Sequence, residues 1–109
     1  MRITFIRHTS VDVEPGICYG CSDVGLASTF KEEAYAVKSS IEGEIFDAVY
    51  SSPLTRCVKL SGYCGYSTPI LDECLKELNF GSWEMQKWDN ITGPEITAWY
   101  DDWINQPAG

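Results

Sequence analysis

Two short apolar runs that each end abruptly in polar residues constrain this chain more than any other feature. The first is Ile3-Thr4-Phe5-Ile6, which stops at Arg7-His8-Thr9; the second is Ile45–Ser51, followed at once by Ser52-Pro53. Runs of this length, rich in Ile, Val and Phe, suit buried strands. A helix is expected between them. Ser28 reads as its N-cap, Glu32 and Glu33 sit in the early turns, and Phe30, Ala34, Val37 and Ile41 form one apolar stripe before Gly43. A second helix is expected directly after the second run. Ser52 would cap it, Pro53 would take the first helical position, where its missing N–H costs nothing, and Gly65 would stop it. Pro69–Asp72 reads as a further short strand. Pro94 opens a last helix whose Ile96, Trp99, Tyr100, Trp103 and Ile104 recur at helical spacing. The alternation predicts an α/β fold with a mainly parallel sheet flanked by helices. About three strands are legible, fewer than a typical sheet holds, so an open sheet edge is expected.

In open α/β sheets, ligands bind beyond the carboxyl ends of the strands. Arg7 and His8, the only histidine of the chain, would stand at such an end. A buried cation without a partner is costly, so the pair does not read as core. Taken alone, His8 reads more readily as a hydrogen-bonded or surface histidine than as a functional group. The loop from Ser10 to Leu26, punctuated by Pro15-Gly16, Gly20 and Gly25, would be anchored through Cys18 and Tyr19. At the second junction a strand runs into a helix N-terminus, whose unpaired N–H groups and dipole favour an anion, and Arg56 lies one turn in. The plain alternative for Arg56 is a surface arginine. Further on, Ser82-Trp83-Glu84 and Trp88-Asp89 form an aromatic, acidic patch.

The 109 residues suit one domain. A formal net charge of −8 argues against general nucleic-acid binding, which needs a basic face, but leaves room for a small anion gripped by two arginines. The odd count of five cysteines, with no leader or membrane-spanning run, points to a reducing cytoplasmic setting. Cys18-Tyr19-Gly20-Cys21 is formally C-x-x-C, but without a second pair or a histidine partner it reads as small packed residues rather than a metal or redox site.

Three stretches in order, Arg7-His8-Thr9, Ser51-Ser52-Pro53-Leu54-Thr55-Arg56 and Leu75–Glu84, resemble the histidine phosphatase superfamily, in its phosphoglycerate-mutase-like branch. The likeness runs from Arg2 to about Trp103. Gly16-Ile17-Cys18-Tyr19-Gly20 with Ser22-Asp23-Val24 looks most like the bacterial α-ribazole phosphatases of cobalamin nucleotide-loop assembly. The resemblance implies that His8 accepts the phosphoryl group as a phosphohistidine and that Arg7 and Arg56, with His8, hold the phosphate. It implies that Glu77 protonates the leaving oxygen and that Thr9 replaces a commoner glycine. No metal or cofactor is implied, and the partner would be a small phosphorylated metabolite, with neither nucleic acid nor membrane. The chemistry suits these residue types: a nucleophilic imidazole needs one neutral nitrogen, and arginine forks stabilise phosphoryl transfer. Glu77, beside Leu78 and Phe80, is expected in apolar surroundings that keep its proton. Glu84 is the competing acid, read otherwise as a surface carboxylate beside Trp83.

Two departures from the family pattern stand out. Glu14 takes a position where many members carry asparagine, and the second pocket histidine of the family has no counterpart here. The chain is therefore expected to be the N-terminal part of one such domain, residues 1–109. Two other readings stay open. One is a non-catalytic phosphate-binding chain that self-associates through its sheet edge or its Trp99/Trp103 stripe. The other is a phosphoglycerate mutase, which the short basic inventory makes less attractive.

Overall fold

A computed structural model describes residues 1–109. The chain forms two compact units: Met1–Val13 with Asp23–Lys76, and Glu14–Ser22 with Glu77–Gly109.

The first unit is α/β. Helix α1 spans Phe30–Ser40, strand β1 Tyr50–Ser51, helix α2 Thr55–Tyr63 and strand β2 Ile70–Leu71. The two strands pair in parallel, Tyr50 opposite Ile70 and Ser51 opposite Leu71, as a strand–helix–strand crossover requires. Helix α1 packs on α2, with Phe30 edge-on to Tyr63 at 5.9 Å between ring centroids. The buried apolar residues are Val24, Ala34, Leu54 and Leu60. Glu33, in the first turn of α1, accepts from Ser10 N and Oγ and from Thr29 Oγ1, which ties the N-terminal segment to the helix start. The hydroxyls of Thr29 and Ser10 and the Ser10 N–H hold its carboxyl below the usual range.

Several elements are shorter than their sequence pattern. The expected first strand does not form: Ile3 to Ile6 has no ladder, and Phe5 is 90% exposed. A strand gains its stability from a hydrogen-bonded neighbour, and the only ladder here joins β1 to β2. Of Ile45–Ser51 only Tyr50 and Ser51 pair, for the same reason. Helix α1 begins after Thr29, one residue past the expected cap. Helix α2 begins after Leu54 instead of Ser52, because Ser52 Oγ accepts from Leu54 N and holds a turn ahead of the helix. Gly65, with φ +97°, follows the Cys64 cap as expected of a terminating glycine.

The second unit is built on aromatic packing. Helix α3, Pro94–Asp101, brings Ile96 onto a core of Cys18, Trp83 and Ile91, flanked by Phe80, Trp88 and Trp99. Trp88 and Trp99 stack at 6.4 Å, while Phe80 meets both edge-on. Residues 16–18 run antiparallel to 85–88: Cys18 N donates to Gln86 O, Met85 N to Cys18 O and Trp88 N to Gly16 O. The helix stops at Asp101, so Trp103 and Ile104 leave the expected stripe and are 66% and 75% exposed. Cys18 is fully buried, so half of the C-x-x-C pair is a core residue. No helix of the chain is long and apolar enough to cross a membrane.

Candidate functional site

In the first unit the polar residues singled out by sequence lie in and just after two segment ends. Thr9, Ser51, Ser52 and Arg56 are all buried, and Arg56 is 1% exposed. Arg7 is exposed and His8 half-buried. The reading of Arg56 as a surface arginine is thereby excluded. A guanidinium enclosed to this degree is a placed charge, because burying it costs several kcal/mol in order of magnitude unless other groups compensate.

His8 Nδ1 lies 2.7 Å from the backbone oxygen of Thr9. A carbonyl only accepts, so Nδ1 carries the hydrogen in the neutral ring and donates it. The lone pair is then on Nε2. The backbone thus selects the tautomer. The Thr9 hydroxyl is buried and has no hydrogen-bond partner within the chain. Ser51 Oγ donates to Ser52 O at 2.8 Å, which closes the turn between β1 and α2.

The start of α2 differs from expectation in one respect. Its first turn already holds an anion, the Asp23 carboxylate. Oδ1 accepts from Thr55 N at 2.8 Å and Oδ2 from Thr55 Oγ1 at 2.7 Å. Asp23 was not singled out as a site residue, and the signal for it was faint: an acid in the loop ahead of a helix that lacks a capping side chain of its own.

The two acids belong to the second unit and have opposite surroundings. Glu77 is exposed, and so is Leu78, so the expected apolar enclosure of Glu77 is not found. Residues 76–80 run without helix or strand between the turns at Glu73–Leu75 and Gly81–Trp83, which leaves the side chain in solvent. Glu84 is no free surface carboxylate. It accepts from Gly20 N, Cys21 N and Phe80 N at 3.0–3.2 Å and from Ser22 Oγ at 2.5 Å. Burial pushes its carboxyl up, but the hydroxyl of Ser22 and the N–H groups of Phe80, Gly20 and Cys21 outweigh burial and hold it below the usual range. An acid so held is ionised at neutral pH and serves as an anchor for residues 20–22. Gly20 fits there because a Cβ would lie 1.9 Å from Leu78 O. Glu14 is exposed, its carbonyl closing a turn onto Ile17 N.

The first unit also has a cleft of about 460 Å³, lined by Tyr35, Lys38, Tyr63, Cys64 and Tyr66 among others. None of the predicted site residues lines it.

A model of the histidine phosphatase superfamily (branch 1) matches residues 3–109. No curated protein sequence matches. Among solved structures, the chain is similar to the glucosyl-3-phosphoglycerate phosphatase of a mycobacterium, with TM-score 0.75 and 24% identity over 94% of this chain and 51% of that one. It is similar to a phosphoserine phosphatase of Entamoeba histolytica, solved in complex with 3-phosphoglyceric acid, with TM-score 0.69 and 29% identity over 84% of this chain and 47% of the other. It is also similar to a candidate α-ribazole-5′-P phosphatase of Escherichia coli K-12, with TM-score 0.74 and 24% identity over 90% and 53%. The chain thus spans about half the length of the solved structures it matches.

Proposed function

The chain belongs to the histidine phosphatase superfamily, and we propose that it carries the phosphoryl-accepting half of a phosphomonoesterase. The observation that supports this reading most directly is the 2.7 Å contact between His8 Nδ1 and Thr9 O, which leaves Nε2 as the nucleophile. In the first step Nε2 donates its lone pair to phosphorus while the ester P–O bond breaks. Glu77 gives its proton to the leaving oxygen, so the alcohol departs neutral. In the second step water attacks the phosphohistidine, its proton passes to Glu77, and the P–N electron pair returns to Nε2 as inorganic phosphate forms. Arg56 and Arg7 would carry the phosphoryl charge, Arg56 from a fixed, desolvated position and Arg7 from solvent. Thr9 would give its unpartnered hydroxyl to a phosphate oxygen, relieving a cost of about 1–3 kcal/mol.

For the substrate we favour α-ribazole 5′-phosphate, in cobalamin nucleotide-loop assembly and in the cytoplasm. The loop residues Gly16–Gly20 and Ser22–Val24 support this choice. Phosphoserine and phosphoglycerate esters are the competing class. The test is transfer of label from a ³²P-phosphomonoester to the protein. Acid-labile, base-stable label lost in His8→Ala is expected, and full turnover by His8→Ala contradicts the assignment. A substrate panel then separates nucleotide-loop phosphates from phosphoserine.

A second reading, a self-associating chain without turnover, is favoured by the exposure of Ile3, Phe5, Trp103 and Ile104. Its prediction is a dimer mass in solution with no hydrolysis; turnover by a monomer contradicts it.

A further inference from the structure

We propose that Asp23 is the positioning residue for Arg56: it clamps the first turn of α2 and thereby fixes the buried guanidinium one residue further on. The inference rests on the reading of Arg56 as a phosphate-gripping residue and extends it. Helix α2 has Leu54 at its cap position, and no side chain of the helix's own satisfies its first-turn N–H groups. Asp23, 32 residues upstream, does so instead. Both carboxylate oxygens are used, one on the N–H and one on the hydroxyl of Thr55, which leaves Thr55 little freedom to turn. Thr55 is covalently joined to Arg56, whose side chain is 1% exposed. The hydroxyl of Thr55, then its N–H, then the charges of Arg56 and Lys76 hold the Asp23 carboxyl below its usual range against the effect of burial. The negative charge is therefore present at neutral pH and offsets that of the enclosed guanidinium.

The proposal makes a prediction of sign. If Asp23 acted only as a charge near a phosphate site, removing it would strengthen anion binding. If it positions Arg56, removing it weakens anion binding although a repelling charge is gone. Inorganic phosphate binding to the full chain by calorimetry, with the Arg56 Nε–H NMR signal recorded alongside, separates the two. Asp23→Ala is expected to bind phosphate about tenfold more weakly and to shift or broaden the Arg56 signal. Asp23→Asn, whose amide oxygen still accepts from Thr55, is expected to stay within about threefold of the native affinity with the signal in place. Phosphate binding by Asp23→Ala as tight as native or tighter overturns the proposal, as does Asn failing as badly as Ala. Should Asp23→Ala not fold, Thr55→Val removes one arm of the clamp. An Arg56 signal displaced in that variant supports the proposal, and an unmoved one overturns it. A native chain that binds no phosphate defeats the phosphate reading of Arg56 alone. The Arg56 signal then decides the positioning: displaced in Ala and retained in Asn supports it, unmoved in both overturns it.

Discussion

The segment around Arg56 and the segment around Trp83 are held by different physics. In the first unit the tightest features are polar: Asp23 on Thr55, Glu33 on Ser10 and Thr29, and a guanidinium enclosed at 1% exposure. Its ladder is only two residue pairs long. In the second unit four aromatic rings, Phe80, Trp83, Trp88 and Trp99, supply the packing, and one carboxylate, Glu84, gathers four donors. Apolar burial is non-directional and tolerates some displacement. Polar clamps lose most of their worth when geometry slips. The comparison teaches that the start of α2, next to the proposed phosphate-binding Arg56, is fixed by directional bonds, while the aromatic unit provides bulk stability.

The largest expected effect lies in the aromatic unit. Trp83→Ala removes a side chain only 6% exposed from the middle of that core. Denaturant titration is expected to register a loss of roughly 3–5 kcal/mol, the range for truncating a buried large aromatic. A loss below about 1 kcal/mol would break the contrast drawn between the two units.

Glu84 tests the polar exception within the aromatic unit. Glu84→Ala strands the N–H groups of Gly20, Cys21 and Phe80 and the hydroxyl of Ser22. A cost of about 2–3 kcal/mol is expected, and Glu84→Gln, which keeps an acceptor, should recover roughly half of it. Equal losses in both variants would mean that the charge, and not the hydrogen-bond pattern, anchors residues 20–22.

The smallest effect is a pH dependence carried by Cys18. Burial first, and then the Glu84 charge, push its thiol up to about 11. The folded chain keeps this proton while the unfolded chain gives it up near the ordinary thiol value of 9.0. The stabilisation is therefore complete below that value and is lost as pH rises toward 11. Unfolding free energy is expected to fall by on the order of 1–2 kcal/mol between about pH 8 and pH 10.5. Cys18→Ala should flatten that part of the slope.

How far the sequence carried these conclusions depends on the kind of signal. Helices α1, α2 and α3 were legible because their apolar spacing and their punctuation by Pro94 and Gly65 act locally. The first strand was not, because Ile3, Phe5 and Ile6 carry strand propensity but a ladder depends on a neighbour that local pattern cannot specify. Arg56 was legible as a candidate, and its full burial was not. The environments of the two acids were misjudged from their immediate neighbours. Glu77 was placed beside Leu78 and Phe80 and expected to be enclosed, whereas its segment has no regular structure and is exposed. Glu84 was open between a competing acid and a surface group, whereas it is an anchor whose partners at Gly20, Cys21 and Ser22 lie more than sixty positions upstream. The clamp made by Asp23 was not legible for the same reason, since its partner Thr55 is 32 positions away.

The central claim is that the backbone sets His8 to present Nε2. Because the chain holds one histidine, long-range ¹H–¹⁵N NMR of the imidazole reads its tautomer without ambiguity. With the ring neutral, the account predicts hydrogen on Nδ1 and an unprotonated Nε2. Hydrogen on Nε2 with Nδ1 bare would contradict it, because the Thr9 carbonyl would then face a lone pair and the nucleophile assigned here would be the wrong nitrogen.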